Sequence, residues 1–195
     1  GVDSTDSKMT TKKGFFDSKR ATTNPNFSAL FINWFTEIGL PSNNLNKNDT
    51  IAVSLTGSFP GANIALLSAC KAANIHPVII SSIGSSSWGA NEIGKTWLDI
   101  ENYLISSNLF SDGSIAFSLG GDNDRLDELD QETINILEKK IINKNYPLIK
   151  GSSVKETISK RIDMYNSKSS NYKAFINIGG SSASLGDSTT SKMYL

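Results

Sequence analysis

The most constraining feature of the chain is an alternation of short apolar segments with longer amphipathic ones between about residues 50 and 178. The short segments have the length and composition of buried strands. They span residues 51–56, 77–81, 114–119, 146–149 and 173–178. Because each intervening segment can hold a helix, we expect parallel strands joined by right-handed crossovers. The sequence therefore predicts an α/β fold, with a mostly parallel five-stranded sheet and helices on both faces in a three-layer, Rossmann-like architecture.

The residues before the first strand divide into a polar arm and one helix. Residues 1–26 are rich in Ser, Thr, Asp and Lys and show no hydrophobic period, so they are predicted to form an extended polar arm. A helix should follow and end at Gly39 and Pro41. Its predicted apolar face consists of Phe27, Leu30, Phe31, Trp34 and Ile38. A chain of 195 residues suits one domain, so residues 27–195 are expected to form a single α/β unit.

Two later helices are predicted from apolar residues three or four positions apart. The first should begin near Arg125, with Leu126, Leu129, Leu137 and Ile141 on its apolar face. The second should place Val154, Ile158, Ile162 and Tyr165 on one face.

Charge and cysteine content exclude several classes of protein. The 19 basic residues equal the 19 acidic ones, and the basic residues do not cluster with aromatic ones, which argues against nucleic-acid binding. The single cysteine, Cys70, cannot form an intramolecular disulfide and is expected to be a packed core thiol. No run approaches the ~18 apolar residues of a membrane span, and no signal peptide is visible. Because the chain begins at Gly1 without a methionine, we interpret it as an excised soluble piece of a longer protein.

Polar turns follow four of the predicted strands, at the sheet edge where ligands of α/β proteins bind. The turns lie at residues 56–60, 81–91, 120–124 and 179–182 and carry glycine together with small hydroxyl, amide or carboxylate side chains. The sequence therefore predicts one shared ligand site. Its candidate binding residues are Gly57, Ser58, Asn63, Ser86, Trp88, Asn91, Gly120, Gly121, Gly179, Gly180 and Ser181. The glycine patterns match no phosphate-binding motif, and no cofactor or metal is expected.

Several of these residues also have a purely structural interpretation. Gly57 and Ser58 suit a strand-to-helix turn with a helix cap. Trp88 either anchors its loop to the core or lines a pocket. Asn63 faces either the site or solvent.

Candidate catalytic residues are Ser58, Asp122 and Asp124. The only histidine, His76, precedes the second strand at the opposite edge of the sheet, which nearly excludes a Ser-His-Asp triad. Ser58 would therefore need Asp122, Asp124 or a lysine as its base. The two aspartates could instead bind a cation or act as acid and base, although the segment is not an EF-hand loop. Alternatively, they cap the helix that is predicted to begin near Arg125.

The same segments resemble the poly-γ-glutamate system protein family. The similarity runs from about residue 15 to residue 187 and is clearest at residues 18–27, 57–65, 79–91, 96–99, 118–121 and 177–180. The most distinctive stretch is Ser-Trp-Gly-Ala-Asn at residues 87–91. After Gly120-Gly121 the chain continues with Asp-Asn-Asp, whereas the family is expected to have a longer glycine run. No catalytic residue can be carried over.

The resemblance implies an accessory component of bacterial poly-γ-glutamate (capsule) biosynthesis or export that binds the polymer or its precursor. Lys19 and Arg20 would be further cationic ligands for its carboxylates. The implied partners are γ-glutamyl oligomers and the membrane components of the synthase, and the implied location is membrane-associated, with the soluble domain extracytoplasmic. Two alternatives stay open. One is a hydrolase or transferase acting on γ-glutamyl amide bonds, and the other is a non-catalytic scaffold that docks to the synthase through Phe15 and Phe16.

Overall fold

A five-stranded, entirely parallel sheet forms the centre of the chain in the order β4-β3-β2-β1-β5. The computed structural model describes residues 7–41 and 49–185. The strands are β1 (Thr50–Thr56), β2 (His76–Ser82), β3 (Ser114–Ser118), β4 (Leu148–Ile149) and β5 (Phe175–Asn177). The helices are α1 (Phe16–Ala21), α2 (Phe27–Glu37), α3 (Pro60–Ala73), α4 (Trp97–Ser106), α5 (Gln131–Asn143), α6 (Val154–Asn166) and α7 (Ser182–Leu185), with a short 3₁₀ turn at Asp122–Asp124.

The strand order places a topological switch point beside β1. Strands β2, β3 and β4 follow outward on one side of β1, whereas β5 pairs with its other side. The chain therefore crosses back over the sheet between β4 and β5. Ligands of open parallel sheets bind outside the carboxyl ends of the strands at such a point.

Both faces of the sheet are covered, as the sequence predicts. Successive strand residues point to opposite faces, so neighbouring residues enter different clusters. The larger cluster includes Val53 and Ile79 and also contains residues of α2, α3, α4 and α5. The smaller cluster, on the opposite face, packs Ala52, Val78 and Ile80 against Tyr165 of α6. The α/β fold with a parallel sheet between helical layers is confirmed.

A buried polar chain links α4 to the centre of the sheet. The indole N–H of Trp97 donates to Ser81 at 3.2 Å, and Ser81 Oγ lies 2.6 Å from Ser114 Oγ. The Ser114 hydroxyl and backbone N–H both donate to the Glu101 carboxylate. Burial raises the pKa of Glu101 to about 7, because desolvation outweighs these hydrogen bonds.

The helix predicted after the arm exists, but its buried face differs from the predicted one. Phe31 and Phe35 are buried, whereas Leu30, Trp34 and Ile38 are largely exposed. The helix packs mainly on α3, and this contact buries a narrower apolar face than the one predicted from the sequence.

The prediction of an extended arm is wrong for residues 16–21, which form α1. The local sequence has no hydrophobic period, and the helix is held by tertiary contacts instead. The Phe16 ring packs on Trp88 with centroids 5.7 Å apart, and the Lys19 side chain is buried.

The predicted helix start near Arg125 is also wrong. Helix α5 begins at Gln131 and is capped by Asp130, whose carboxylate accepts from the Thr133 N–H at 2.8 Å. Asn123, Asp124 and Leu126 all have φ values between 56° and 59°, so the segment between the glycines and α5 cannot be α-helical. Leu126 and Leu129 consequently precede the helix.

The predicted apolar face of α6 is right for Tyr165 but wrong for Ile162, and it omits Thr157 and Arg161. Its buried residues are Thr157, Arg161 and Tyr165, whereas Ile162 is about half exposed. The helix turns Arg161 toward the sheet because polar groups at the strand ends accept its hydrogen bonds. In residues 7–41 and 49–185, no helix has the length and apolarity needed to cross a membrane.

Candidate functional site

The four polar turns converge on one cavity at the carboxyl edge of the sheet. Its volume is about 240 Å³. We call it the edge cavity. Residues 11–15 and Lys19 of the arm fold over the turns and complete its wall. The turns contribute Thr56, Ser58 and Phe59 after β1, Ser82, Gly84 and Ser86 after β2, Gly121, Asp122 and Glu128 after β3, and Gly180 and Ser181 after β5.

Backbone hydrogen bonds hold the arm against the loop after β2. Thr10 and Ser85 form a parallel bridge, and the Thr11 N–H donates to the Ser85 carbonyl at 3.0 Å. The Ser87 N–H donates to the Lys12 carbonyl at 3.0 Å. The arm therefore adds a short extended segment beside this loop.

The turn after β1 is built by close backbone approach. The Gly57 carbonyl accepts from the Ala90 N–H at 2.8 Å, and a Cβ on Gly57 would lie 3.0 Å from the carbonyl oxygens of Ile83 and Gly84. Ser58 lines the edge cavity, and its Oγ accepts from the Ser86 N–H at 3.1 Å. Gly57 thus has a structural role, whereas Ser58 joins two of the turns.

Two predicted asparagines support the loops and do not line the edge cavity. Asn63 is fully buried and donates to the Thr56 carbonyl at 2.9 Å. Asn91, also buried, donates to Thr10 Oγ1 at 2.9 Å. Each fixes a backbone segment that borders the cavity.

Trp88 lines a second cavity. This cavity has a volume of about 590 Å³ and lies between the arm, the start of α3 and the helix α4. Phe16 and Tyr103 also line it, and the Trp88 backbone has a φ of +60°. Of the two alternatives for Trp88, the structure therefore places it in a pocket wall, but not the wall of the edge cavity.

The two aspartates after β3 occupy different environments. Asp122 is about half exposed and forms an ion pair of 2.5 Å with Lys12 of the arm. Asp124 is buried, with its carboxylate 2.8 Å from Ser118 Oγ and 3.5 Å from Arg161. Only Asp122 lines the edge cavity, and neither aspartate caps α5. The described residues hold no group of three or more potential metal-ligating side chains.

Three glycines allow the tight turns at this edge. Gly120, Gly121 and Gly179 have φ values of +79°, +64° and +110°. A Cβ on Gly179 would lie 2.2 Å from Thr56 Oγ1, so the turns after β1 and β5 touch there. Gly121 also lines the edge cavity, as do the neighbouring Gly180 and Ser181.

Sequence reasoning missed the residue that ties the strand ends together. The Arg161 guanidinium, 4% exposed, lies below the carboxyl ends of β1, β2 and β3. It donates to Ser82 at 3.0 Å and to Ser118 at 2.6 Å, and it reaches Ser54 at 3.4 Å. A serine near the end of each of three successive strands is the sequence signal that could have indicated a buried cation.

Burial and the Arg161 charge shift the pKa of the Asp124 carboxyl in opposite directions. Desolvation raises the pKa of the Asp124 carboxyl, and Arg161, Ser118 and Ser181 partly offset this effect. Arg161 and Asp124 thus form a buried polar contact between α6 and the carboxyl ends of the strands.

Lys19 contacts neutral oxygens in the described part of the chain. Its Nζ donates to Ser86 Oγ at 2.7 Å and to the Ser87 carbonyl at 2.6 Å. It also lies 5.3 Å from the centre of the Phe59 ring. Desolvation lowers the pKa of Lys19 to about 8. Arg20, in contrast, is exposed and pairs with Asp17.

His76 and Cys70 lie away from this edge, and the two arm residues Phe15 and Phe16 differ in their exposure. His76 is the first residue of β2, and its Nδ1 lies 3.1 Å from Asp112 at the amino ends of the strands. Cys70 is buried, as predicted, and burial raises the pKa of its thiol to about 12. Phe15 is 81% exposed, whereas the Phe16 ring is partly buried and packs on Trp88.

Comparison with protein-family models finds no match, and no curated protein or solved structure matches the chain significantly. The resemblance to the poly-γ-glutamate system family therefore stays a prediction.

Proposed function

We propose that the chain is an accessory component of poly-γ-glutamate biosynthesis or export and that the edge cavity binds a γ-glutamyl unit or chain end. One observation carries the proposal. The lysine-bearing arm closes the four polar turns into a single cavity, at the sheet edge where ligands of this fold class bind.

The charges around the edge cavity favour a small anion. Three lysines, Lys12, Lys13 and Lys19, line it together with the two carboxylates of Asp122 and Glu128, so the lysines outnumber the carboxylates by one. Lys12 is compensated by Asp122. Lys13 is exposed and supplies a charge at the rim for a ligand carboxylate.

The size of the cavity favours one end of a polymer over a long bound segment. Its volume of about 240 Å³ lies below the ~300–1,000 Å³ typical of drug-sized ligand sites. The chain as a whole carries equal numbers of acidic and basic residues, which argues against a broad electrostatic groove for a long polyanion.

The test is an amide-resolved NMR titration with short γ-linked glutamate oligomers at low and high salt, with α-linked oligomers as the comparison. We expect shifts at residues 11–14, 56–59, 84–86, 121–122 and 180–181. Lys13→Met should weaken binding about two- to five-fold, since an exposed ion pair contributes up to ~1 kcal/mol. Asp122→Asn should strengthen it by a similar factor, because the change removes a negative charge and frees Lys12.

Lys155→Met on α6 is the matched control, because Lys155 is an exposed lysine outside the edge cavity. The opposite signs of the two substitutions separate a site effect from a general loss of charge. Absence of shifts at millimolar ligand, or shifts that neither substitution alters, would overturn the proposal. The scaffold alternative, with Phe15 as a contact to a synthase component, would then be tested against the membrane proteins instead.

A further inference from the structure

A serine and a lysine from distant parts of the chain meet at the inner wall of the edge cavity. Lys19 belongs to α1 and Ser86 to the loop after β2, and both side chains line the cavity. Lys19 Nζ lies 2.7 Å from Ser86 Oγ. This is the hydrogen-bond reach that a serine nucleophile and its base require.

Two carbonyl groups orient the lysine amine. Lys19 Nζ donates to the Ser87 carbonyl at 2.6 Å and to the Ser86 carbonyl at 3.2 Å. A neutral amine has two N–H donors and one lone pair. When the two donors are directed to the carbonyls, the lone pair is free to accept the Ser86 hydroxyl proton.

The local structure leaves little freedom for either side chain. A Cβ on Gly14 would lie 2.9 Å from Lys19 Cε and 2.7 Å from the Ser87 carbonyl, so glycine at this position makes room for the lysine. The backbone N–H of Ser86 donates to Ser58 Oγ at 3.1 Å. Ser58 therefore positions Ser86, which differs from the catalytic role predicted for Ser58 from the sequence.

The electrostatic environment allows the lysine to lose its proton near neutral pH. Lys19 contacts no carboxylate in residues 7–41 and 49–185, and desolvation brings its pKa to about 8. About one molecule in ten then carries a neutral amine at pH 7. The distant His76 is not required.

We propose that Ser86 is a nucleophile and Lys19 its general base in an acyl-transfer reaction on an amide or ester. Ser86 Oγ forms a bond to the substrate carbonyl carbon while its proton moves to Lys19 Nζ. The bond from that carbon to the leaving nitrogen or oxygen breaks, and Lys19 returns the proton to the leaving group. Water or an amine then attacks the carbonyl carbon of the Ser86 ester while Lys19 Nζ accepts its proton. The bond from that carbon to Ser86 Oγ breaks, and Lys19 returns the proton to Oγ as the acyl product leaves.

The acyl group is identified only through the proposed function, on which this part of the inference rests. If the edge cavity binds a γ-glutamyl unit, the substrate is a γ-glutamyl amide and the reaction trims or transfers the polymer end. The Ser-Lys pair itself is independent of that identification and can be tested with a probe that carries no glutamate.

The test uses a fluorophosphonate, which phosphorylates activated serine hydroxyls, with intact-mass and peptide-mapping readouts. We expect one label, on Ser86, and a labelling rate that rises with pH through an inflection near pH 8 to a plateau above about pH 9. Ser86→Ala should abolish the label. Lys19→Met should slow labelling at least ~100-fold and remove the inflection, as loss of a general base does. Ser167→Ala on the far end of α6 and Lys155→Met are the matched controls and should label at the wild-type rate.

Circular dichroism verifies that each variant is folded, and the wild-type pH profile tests the pair without any substitution. An unlabelled wild-type protein, a label on another serine, or a Ser86 label whose rate ignores pH between 6 and 9 would overturn the proposal. Binding of γ-glutamyl oligomers without labelling would leave the proposed function standing and remove the Ser-Lys pair. Labelling without such binding would keep the pair and remove the γ-glutamyl substrate.

Discussion

Replacing Arg161 by methionine should destabilise the protein strongly, although the substitution adds an apolar side chain to a buried position. Arg161 and Asp124 are 4% and 1% exposed, and their closest charged atoms are 3.5 Å apart. Methionine retains the length of the stem but removes the charge and the bonds to Ser82 and Ser118. The Asp124 carboxylate would then be left in the interior without its counter-ion.

The expected loss follows from that uncompensated charge. Removing one partner of a buried ion pair costs about 3–5 kcal/mol, whereas removing both can be nearly neutral. Asp124→Asn alone should cost a comparable amount, and asparagine tolerates the left-handed backbone at this position. The double variant Arg161→Met with Asp124→Asn should therefore lose less than the two single losses added together, with a coupling energy of at least ~1.5 kcal/mol.

Urea unfolding at pH 7, followed by circular dichroism, measures all three variants. The effect should also depend on pH. The pKa of Asp124 is raised in the folded state, so its protonated form is favoured there, and removing Arg161 raises this pKa further. The deficit of Arg161→Met should thus be smallest near pH 4 and grow as the pH rises toward 7. Strictly additive losses, or a deficit that is larger at pH 4 than at pH 7, would refute the account of this ion pair.

Three further outcomes are expected. Because the folded-state pKa of Glu101 is about 7, this group should lower the free energy of unfolding by roughly 3 kcal/mol between pH 4.5 and 7, so the wild type should lose stability relative to Glu101→Gln by about that amount over this range in urea titrations. Gly179→Ala should lower the free energy of unfolding by at least ~1–3 kcal/mol, because the position has a positive φ and an added Cβ would clash with Thr56. Gly94→Ala, which has open space around it, should change the thermal midpoint little. Equal effects of the two substitutions would contradict the turn geometry. Cys70 should not react with a thiol reagent such as DTNB at pH 8 in the native state and should react fully in denaturant, since burial raises the thiol pKa to about 12; rapid native reaction would show that the core is open there.

The sequence predicts the sheet well because its strands are apolar runs bounded by glycine and polar residues. Such a pattern is local, and so are the helix signals of α3 and α4. The convergence of the four turns was predictable for the same reason, since parallel strands end at a common edge.

The interior polar contacts were not predictable from local pattern. Arg161 lies on a helix with an apparent apolar stripe, and hydrophobic periodicity assigns a charged residue to solvent. Its burial depends on serines that are 43 to 107 residues away in sequence. The contact between Lys19 and Ser86 likewise joins residues that are 67 positions apart in sequence, so it requires the arm to fold back.

The arm completes the edge cavity but contributes little to the hydrophobic core. Between residues 7 and 21 only Met9 and Lys19 are buried, and Met9 is the arm's one buried residue in the main hydrophobic cluster. The sheet and its covering helices can therefore form before the arm docks, because few of their apolar contacts involve it. We therefore expect the edge cavity to be completed only when the arm docks on the sheet. A binding partner that captured the arm would then be expected to disable the site.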